Sequence, residues 1–229
     1  MDVQRITLSL LCVRHGKTQY TGILPDLTED GIAEVRRVAF EHVAPWMDAE
    51  RVSGRTPALE TSPAPRAHGT AITLARALEH RRPIRVRKEL DALVWRDPAR
   101  ARAACQGLSG KGYIDYETEP VFADASIFET PGEVRARWYA FLAKRIRTAR
   151  KSPTLRSAVI VSHYEIFCNL TRDMFGIIAN ESTALKYAEH IALWVRHHDC
   201  GRMVIIEGEF RGEHRTALFD LEKQLFVAC

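Results

Sequence analysis

The chain has 229 residues, 46% hydrophobic and 27% charged, with 33 basic and 29 acidic side chains and a net charge of +4. That length and balance suit one globular domain with a full core, with room for a modest insertion. No apolar run approaches the ~20 residues that cross a bilayer. The basic clusters at Arg81-Arg82 and 96–102 are short and read as solvated helix faces rather than a nucleic-acid arm.

The five cysteines stand far apart at 12, 105, 168, 200 and 229, with no Cys-x-x-Cys pair. The mixed polar residues 1–7 do not read as a secretory signal, so reduced thiols and a cytoplasmic location are expected. Cys12 and Cys168 sit in apolar contexts and read as small core residues.

Strand and helix patterns alternate along the chain, which predicts an α/β fold. Residues 8–13 form an apolar run that predicts a buried strand, and Arg14-His15-Gly16 follows it directly. Ligands of open α/β sheets bind beyond strand carboxyl ends. The triplet therefore puts an imidazole and a guanidinium where a small anion would sit, and Gly16 lets the backbone turn sharply. Thr28 caps a helix with acidic residues in its first turn, and apolar spacing carries that helix to about Met47. Residues 59–62 predict a short strand running into Pro63-Ala64-Pro65, and a helix opens near Arg66. Residues 83–86 predict another short strand. Residues 88–128 are broken by Asp97-Pro98 and Gly107, Gly110 and Gly112, and read as an insertion over the site with one or two short helices.

Thr130-Pro131-Gly132-Glu133 is a capping box with proline at the first helical position. The run 158–162 is the cleanest buried strand, ending at His163, and a helix 165–175 follows. Residues 191–195 and 203–207 predict an antiparallel pair at the sheet edge. His197-His198-Asp199-Cys200 reads as a turn, since neighbouring strand residues face opposite sides and cannot easily share a metal.

Two histidines, His15 and His163, thus project from strand ends on one side of the sheet, with Arg14 and the helix-opening Arg66 close in the pattern. The chain resembles the histidine phosphatase superfamily, the phosphoglycerate mutase-like fold. The resemblance rests on Arg14 to Thr18 for Arg-His-Gly-x-Thr and on Leu27 to Gly31 for Leu-Thr-x-x-Gly. It also rests on residues 61–71 for Ser-Ser-Pro-x-x-Arg-Ala-x-x-Thr-Ala, with Thr61 for the first Ser, and in part on Lys88 to Trp95 for Arg-Glu-Ile-Asp-x-Gly-x-Trp. Val161-Ser162-His163 and Asn180-Glu181-Ser182 complete the series in the family's order.

The resemblance implies a three-layer α/β/α fold with a mostly parallel central sheet, as a single domain over residues 1–229 with the insertion at about 88–128. It implies His15 as the phosphoryl-accepting nucleophile. Arg14, Arg66 and His163 then become phosphate ligands, Glu89 the proton donor with Asp91 as fallback, and Thr21 a small polar phosphate contact. A carboxyl in a pocket is expected to have a raised pKa. Two residues depart from the pattern. Tyr164 replaces a glycine and is expected to narrow the pocket or offer a hydroxyl to substrate, and Leu93 replaces another glycine. The implied function is metal-independent phosphomonoester hydrolysis through phosphohistidine, with no cofactor. Its partner would be a small phosphorylated substrate, without nucleic acid or membrane, and the oligomeric state is open, a homodimer included. The alternatives are a phosphoglycerate mutase, with Arg96, Arg100, Arg102 and Lys111 as a basic insertion, or a silent phosphate-binding protein.

Overall fold

A computed structural model describes residues 6–19, 26–108, 113–152, 156–198 and 200–227. Its centre is an eight-stranded sheet in the order β3-β2-β4-β1-β5-β6-β7-β8. The strands are β1 (Ile6–Arg14), β2 (Ala58–Thr61), β3 (Arg85–Val86), β4 (Ser157–Ser162), β5 (His190–His197), β6 (Met203–Phe210), β7 (Glu213–Asp220) and β8 (Leu225–Val227).

β1 to β4 are parallel to one another, and each pairing from β1–β5 through β7–β8 is antiparallel. The sheet is therefore mixed rather than mostly parallel. Helical crossovers build one half, and tight turns build the other, including Arg211-Gly212, both at positive φ. The predicted antiparallel pair is β5 and β6, but β5 lies inside the sheet beside β1 and the edge belongs to β8.

Side chains of β1 alternate between two cores. Leu8, Leu10 and Cys12 face a large cluster built on helices α5 (Pro131–Lys151) and α6 (Tyr164–Phe175), while Leu11 and Val13 face a smaller one. The smaller cluster is made by α1 (Glu29–Val38), α2 (Ala44–Val52) and α3 (Pro65–Ala77). Helices cover both faces, giving the three layers expected. Tyr116, Phe122, Ile127 and Phe128 of the segment between β3 and α5 join the large core, together with Ala101 of α4 (Pro98–Gly107).

Local chemistry sets the helix ends. Thr28 Oγ1 accepts the Gly31 N–H at 3.0 Å, and Thr130 and Glu133 exchange both bonds of the capping box. The first helix runs on past Met47 because a π turn (Ala39–Val43) joins α1 to α2. The Ala44 N–H reaches back to the Ala39 carbonyl, which carries the helix over Pro45, a residue with no N–H to give.

One close approach fixes the loop after β1. A Cβ on Gly31 would lie 2.2 Å from the Lys17 carbonyl oxygen, and one on Gly16 would lie 2.6 Å from Val35 Cγ2. Helix α1 thus presses directly on the His15–Thr18 backbone. Gly31→Ala is expected to cost about 1–3 kcal/mol by overpacking and to displace that loop. Urea unfolding measures the cost, and a Gly31→Ala protein of unchanged stability would contradict the contact.

Candidate active site

Strands β1 and β4 are adjacent and parallel, with Arg14 paired to Ser162. Their carboxyl ends therefore deliver His15 and His163 side by side, ring centroids 5.2 Å apart. Both are almost wholly buried, at 3% and 0% exposure.

His15 Nδ1 lies 2.8 Å from the Gly16 carbonyl oxygen. A carbonyl only accepts, so Nδ1 carries the proton and Nε2 keeps its lone pair. Arg66 Nε–H donates to that lone pair at 3.3 Å. Arg66 stands in the first turn of α3, where Ala64-Pro65 sets the helix entry. Thr70 Oγ1 links the two elements, accepting the Gly16 N–H at 3.0 Å and donating to the Arg66 carbonyl at 2.8 Å.

His163 is held from the other side. Its Nε2 lies 2.8 Å from Ser62 Oγ, which donates to Asp91 Oδ1 at 3.1 Å and accepts the Ala64 N–H. With the serine proton on the carboxylate, the serine oxygen takes the Nε2–H, leaving His163 Nδ1 buried with no partner among the described residues. Arg14 is 6% exposed, and its Nε likewise has no partner among them. Buried polar groups are nearly always paired. The unpaired Arg14 Nε–H is a buried cationic donor left open beside the two imidazoles, which suits an anion.

Burial first, then the Arg14 and Arg66 guanidiniums, push the His15 pKa well below the ordinary histidine value. Burial first, then Arg66, His15 and Arg14, do the same to His163. The acid limb of kcat/KM is therefore expected well below pH 6.5, because His15 stays neutral there. Unfolded imidazoles take protons near pH 6.5 while these two do not, so stability should fall as pH drops below 6.5. Urea midpoints at pH 7.5 and 5.5 and a pH–rate profile check both signs, and an acid limb at 6.5 would contradict them.

The other expected residues are placed as follows. Glu89 lies in a 3₁₀ turn (Lys88–Leu90) after β3, with Oε1 3.3 Å from Lys144 Nζ and 38% of its side chain exposed. Among the described residues its carboxylate touches neither histidine. Its pKa is lowered, not raised as expected, by its own backbone N–H first and by Lys144. Asp91, by contrast, is wired to His163 through Ser62. Arg137 of α5 fixes this turn, donating to the carbonyls of Glu89, Asp91 and Ala92. The Tyr164 hydroxyl donates to the Ile114 carbonyl at 2.9 Å and so holds the 88–128 segment. Leu93 packs on the large core. Thr21 lies outside the described residues.

Tyr113, Tyr187 and Ser62 also belong to the site, and sequence reasoning gave them no role. Ser62 was visible only as a motif position. The two tyrosines sit in irregular segments with no pattern to single them out. Ala188, at φ +54°, carries the turn that lays Tyr187 against His15, 5.6 Å between centroids, and 4.1 Å from the Arg14 guanidinium carbon.

Among curated proteins none is significantly similar to the chain. Solved structures share the fold. Mycobacterial glucosyl-3-phosphoglycerate phosphatase is 19% identical with TM-score 0.58, covering 89% of this chain and 97% of that one. Phosphoglycerate mutase from Bacillus anthracis str. Sterne is 16% identical with TM-score 0.60, covering 96% of each. The model of the histidine phosphatase superfamily (branch 1) matches residues 10–205, and the chain belongs to that superfamily.

Proposed function

We propose that the chain is a metal-independent phosphomonoester hydrolase that works through a phosphohistidine on His15. The observation that carries this reading is the His15 tautomer. Nδ1–H is fixed on the Gly16 carbonyl and the Nε2 lone pair faces Arg66, its only donor among the described residues, beside the unpaired Arg14 Nε–H and the unpaired His163 Nδ1. A phosphoryl group entering between Arg14, Arg66 and His163 draws Arg66 off Nε2 and exposes the nucleophile. The two guanidiniums then stabilise charge on the equatorial oxygens. The arriving anion offsets the positive neighbours that depress His163, so His163 Nδ1 takes a proton and donates to a phosphoryl oxygen. Nε2 forms the P–N bond as the P–O bond to the leaving group breaks. Glu89 supplies that oxygen's proton, and water then cleaves the phosphohistidine.

Glu89 must leave Lys144 to act. An exposed ion pair of this kind is worth only about 0–1 kcal/mol, so the exchange is cheap. Asp91 Oδ1 is committed to Ser62 and to the Ala92 N–H, which suits a positioning role.

Phosphatase is favoured over mutase by what the basic insertion residues touch. Arg96 binds Glu133 and the Ala125 carbonyl, and Arg100 binds Asp124 and Ser126, so both brace the segment itself. Lys111 lies outside the described residues. A proposed substrate class is a small phosphorylated metabolite, in keeping with the glucosyl-3-phosphoglycerate phosphatase that shares the fold.

The test is phosphate release from a panel of phosphomonoesters in EDTA, with an alkaline detergent quench of a ³²P-labelled substrate. Release in EDTA with acid-labile, alkali-stable label mapping to His15 is expected. Release without label on His15 would overturn the mechanism, and phosphate binding without release would leave a silent binding protein.

A further inference from the structure

Arg14 has five N–H groups, and the structure shows where two of them go. Both Nη1 hydrogens are committed, one to the Tyr113 hydroxyl at 3.0 Å and one to the Leu185 carbonyl at 2.5 Å. The guanidinium carbon lies 4.1, 5.1 and 5.2 Å from the ring centroids of Tyr187, Tyr113 and Tyr164. Because the guanidinium is planar, fixing the Nη1 corner inside three rings also fixes the opposite edge. That edge, Nε–H and Nη2–H, has no partner among the described residues. It is the side-on fork that grips two oxygens of a phosphoryl group.

Tyr113 reaches Arg14 from the segment between β3 and α5, and that segment is strapped down at consecutive residues. The Tyr113 N–H donates to Glu181 Oε2 at 2.9 Å, and Ile114 accepts the Tyr164 hydroxyl. Arg172 of α6 pairs with Asp115, and with Glu117 at 2.7 Å, while Arg135 of α5 also pairs with Glu117.

We propose that Tyr113 is a positioning residue of the phosphate site. Through it the seating of residues 113–117 on α5 and α6 sets which edge of Arg14 faces the phosphoryl group. The inference rests on the reading of Arg14 as a phosphate ligand. It gives the segment a part in binding the phosphate itself, beyond any contact with the leaving group. An unseated segment leaves Arg14 without one of its Nη1 acceptors and free to turn within its pocket.

The test uses the full chain and inorganic phosphate, titrated by calorimetry and as a competitive inhibitor. Tyr113→Phe keeps the ring and removes the hydroxyl. It is expected to weaken phosphate three- to tenfold and to raise KM in parallel. kcat should stay within about threefold and the thermal midpoint should not move. Arg172→Ala, remote from Arg14, is expected to shift phosphate affinity in the same direction. The double variant is expected to add little to the larger single effect, because both act through one contact. Phosphate bound equally or more tightly by Tyr113→Phe would overturn the proposal, the hydroxyl then being a competitor for Arg14. So would strict additivity of the two variants. Because binding is read without turnover, phosphate binding with no release would sink the hydrolase reading while Tyr113 stays under test. No phosphate binding by the unaltered chain would remove both.

Discussion

Replacing His15 with alanine is expected to lower kcat on every phosphomonoester by on the order of 10⁴-fold or more, about 5.4 kcal/mol of barrier. The size follows from what the imidazole does. It is the group in the cradle whose Nε2 lone pair is aimed by a bond on its other nitrogen. Without it, water must attack the ester directly and the two-step route is lost. Phosphate affinity should behave differently. Arg14 and His163 keep their anchors on Leu185 and Ser62, and Arg66 is released from the imidazole. Inorganic phosphate is therefore expected to bind within a few-fold of the unaltered protein. Turnover lost with binding kept is the signature of a missing nucleophile, while loss of both would report a collapsed site. Activity surviving His15→Ala would refute the assignment.

The parallel half of the fold and the histidine pair were legible because apolar runs, caps and glycines are local signals. The run before Arg14 and the run before His163 each announce a buried strand, and two such strands lie side by side in the sheet with His15 and His163 at their ends. The capping box at Thr130 needs only four residues to be read. Strands β7 and β8 were missed because their outward residues alternate less cleanly. Glu213, His214, Arg215 and Thr216 make a polar stretch that pairs with β6 all the same. Backbone pairing with β6 overrode the stretch's own preference.

Within the site, the limit was long-range contact. Nothing local marks Tyr113 as a partner of a residue 99 positions away, or Leu185 as the acceptor for one 171 away. Nor does the motif around Glu89 reveal Lys144, 55 residues on, which holds the carboxylate and, after the residue's own backbone N–H, helps to lower its pKa. Motif residues were readable, and the groups that aim them were not.

Glu89→Gln should separate substrates by their leaving groups. An alkyl phosphate must expel a strongly basic alkoxide, so loss of a general acid is expected to cost about 10²–10³-fold in kcat. A nitrophenyl phosphate expels a weakly basic phenolate that needs no proton, and its rate should change by no more than a few-fold. Its own backbone N–H and then Lys144 lower the Glu89 pKa and favour the carboxylate. A phosphoester bound nearby brings negative charge that disfavours the carboxylate and lifts its pKa toward the working range. Lys144→Met, which removes the competing cation, is expected to move the basic limb of kcat to higher pH without reproducing the leaving-group effect. Asp91→Asn supplies the contrast. It acts by loosening Ser62 and His163, so alkyl and aryl substrates should suffer alike. If Asp91→Asn shows the leaving-group dependence and Glu89→Gln does not, the proton comes from Asp91, and the Glu89–Lys144 pair is only an exposed surface contact.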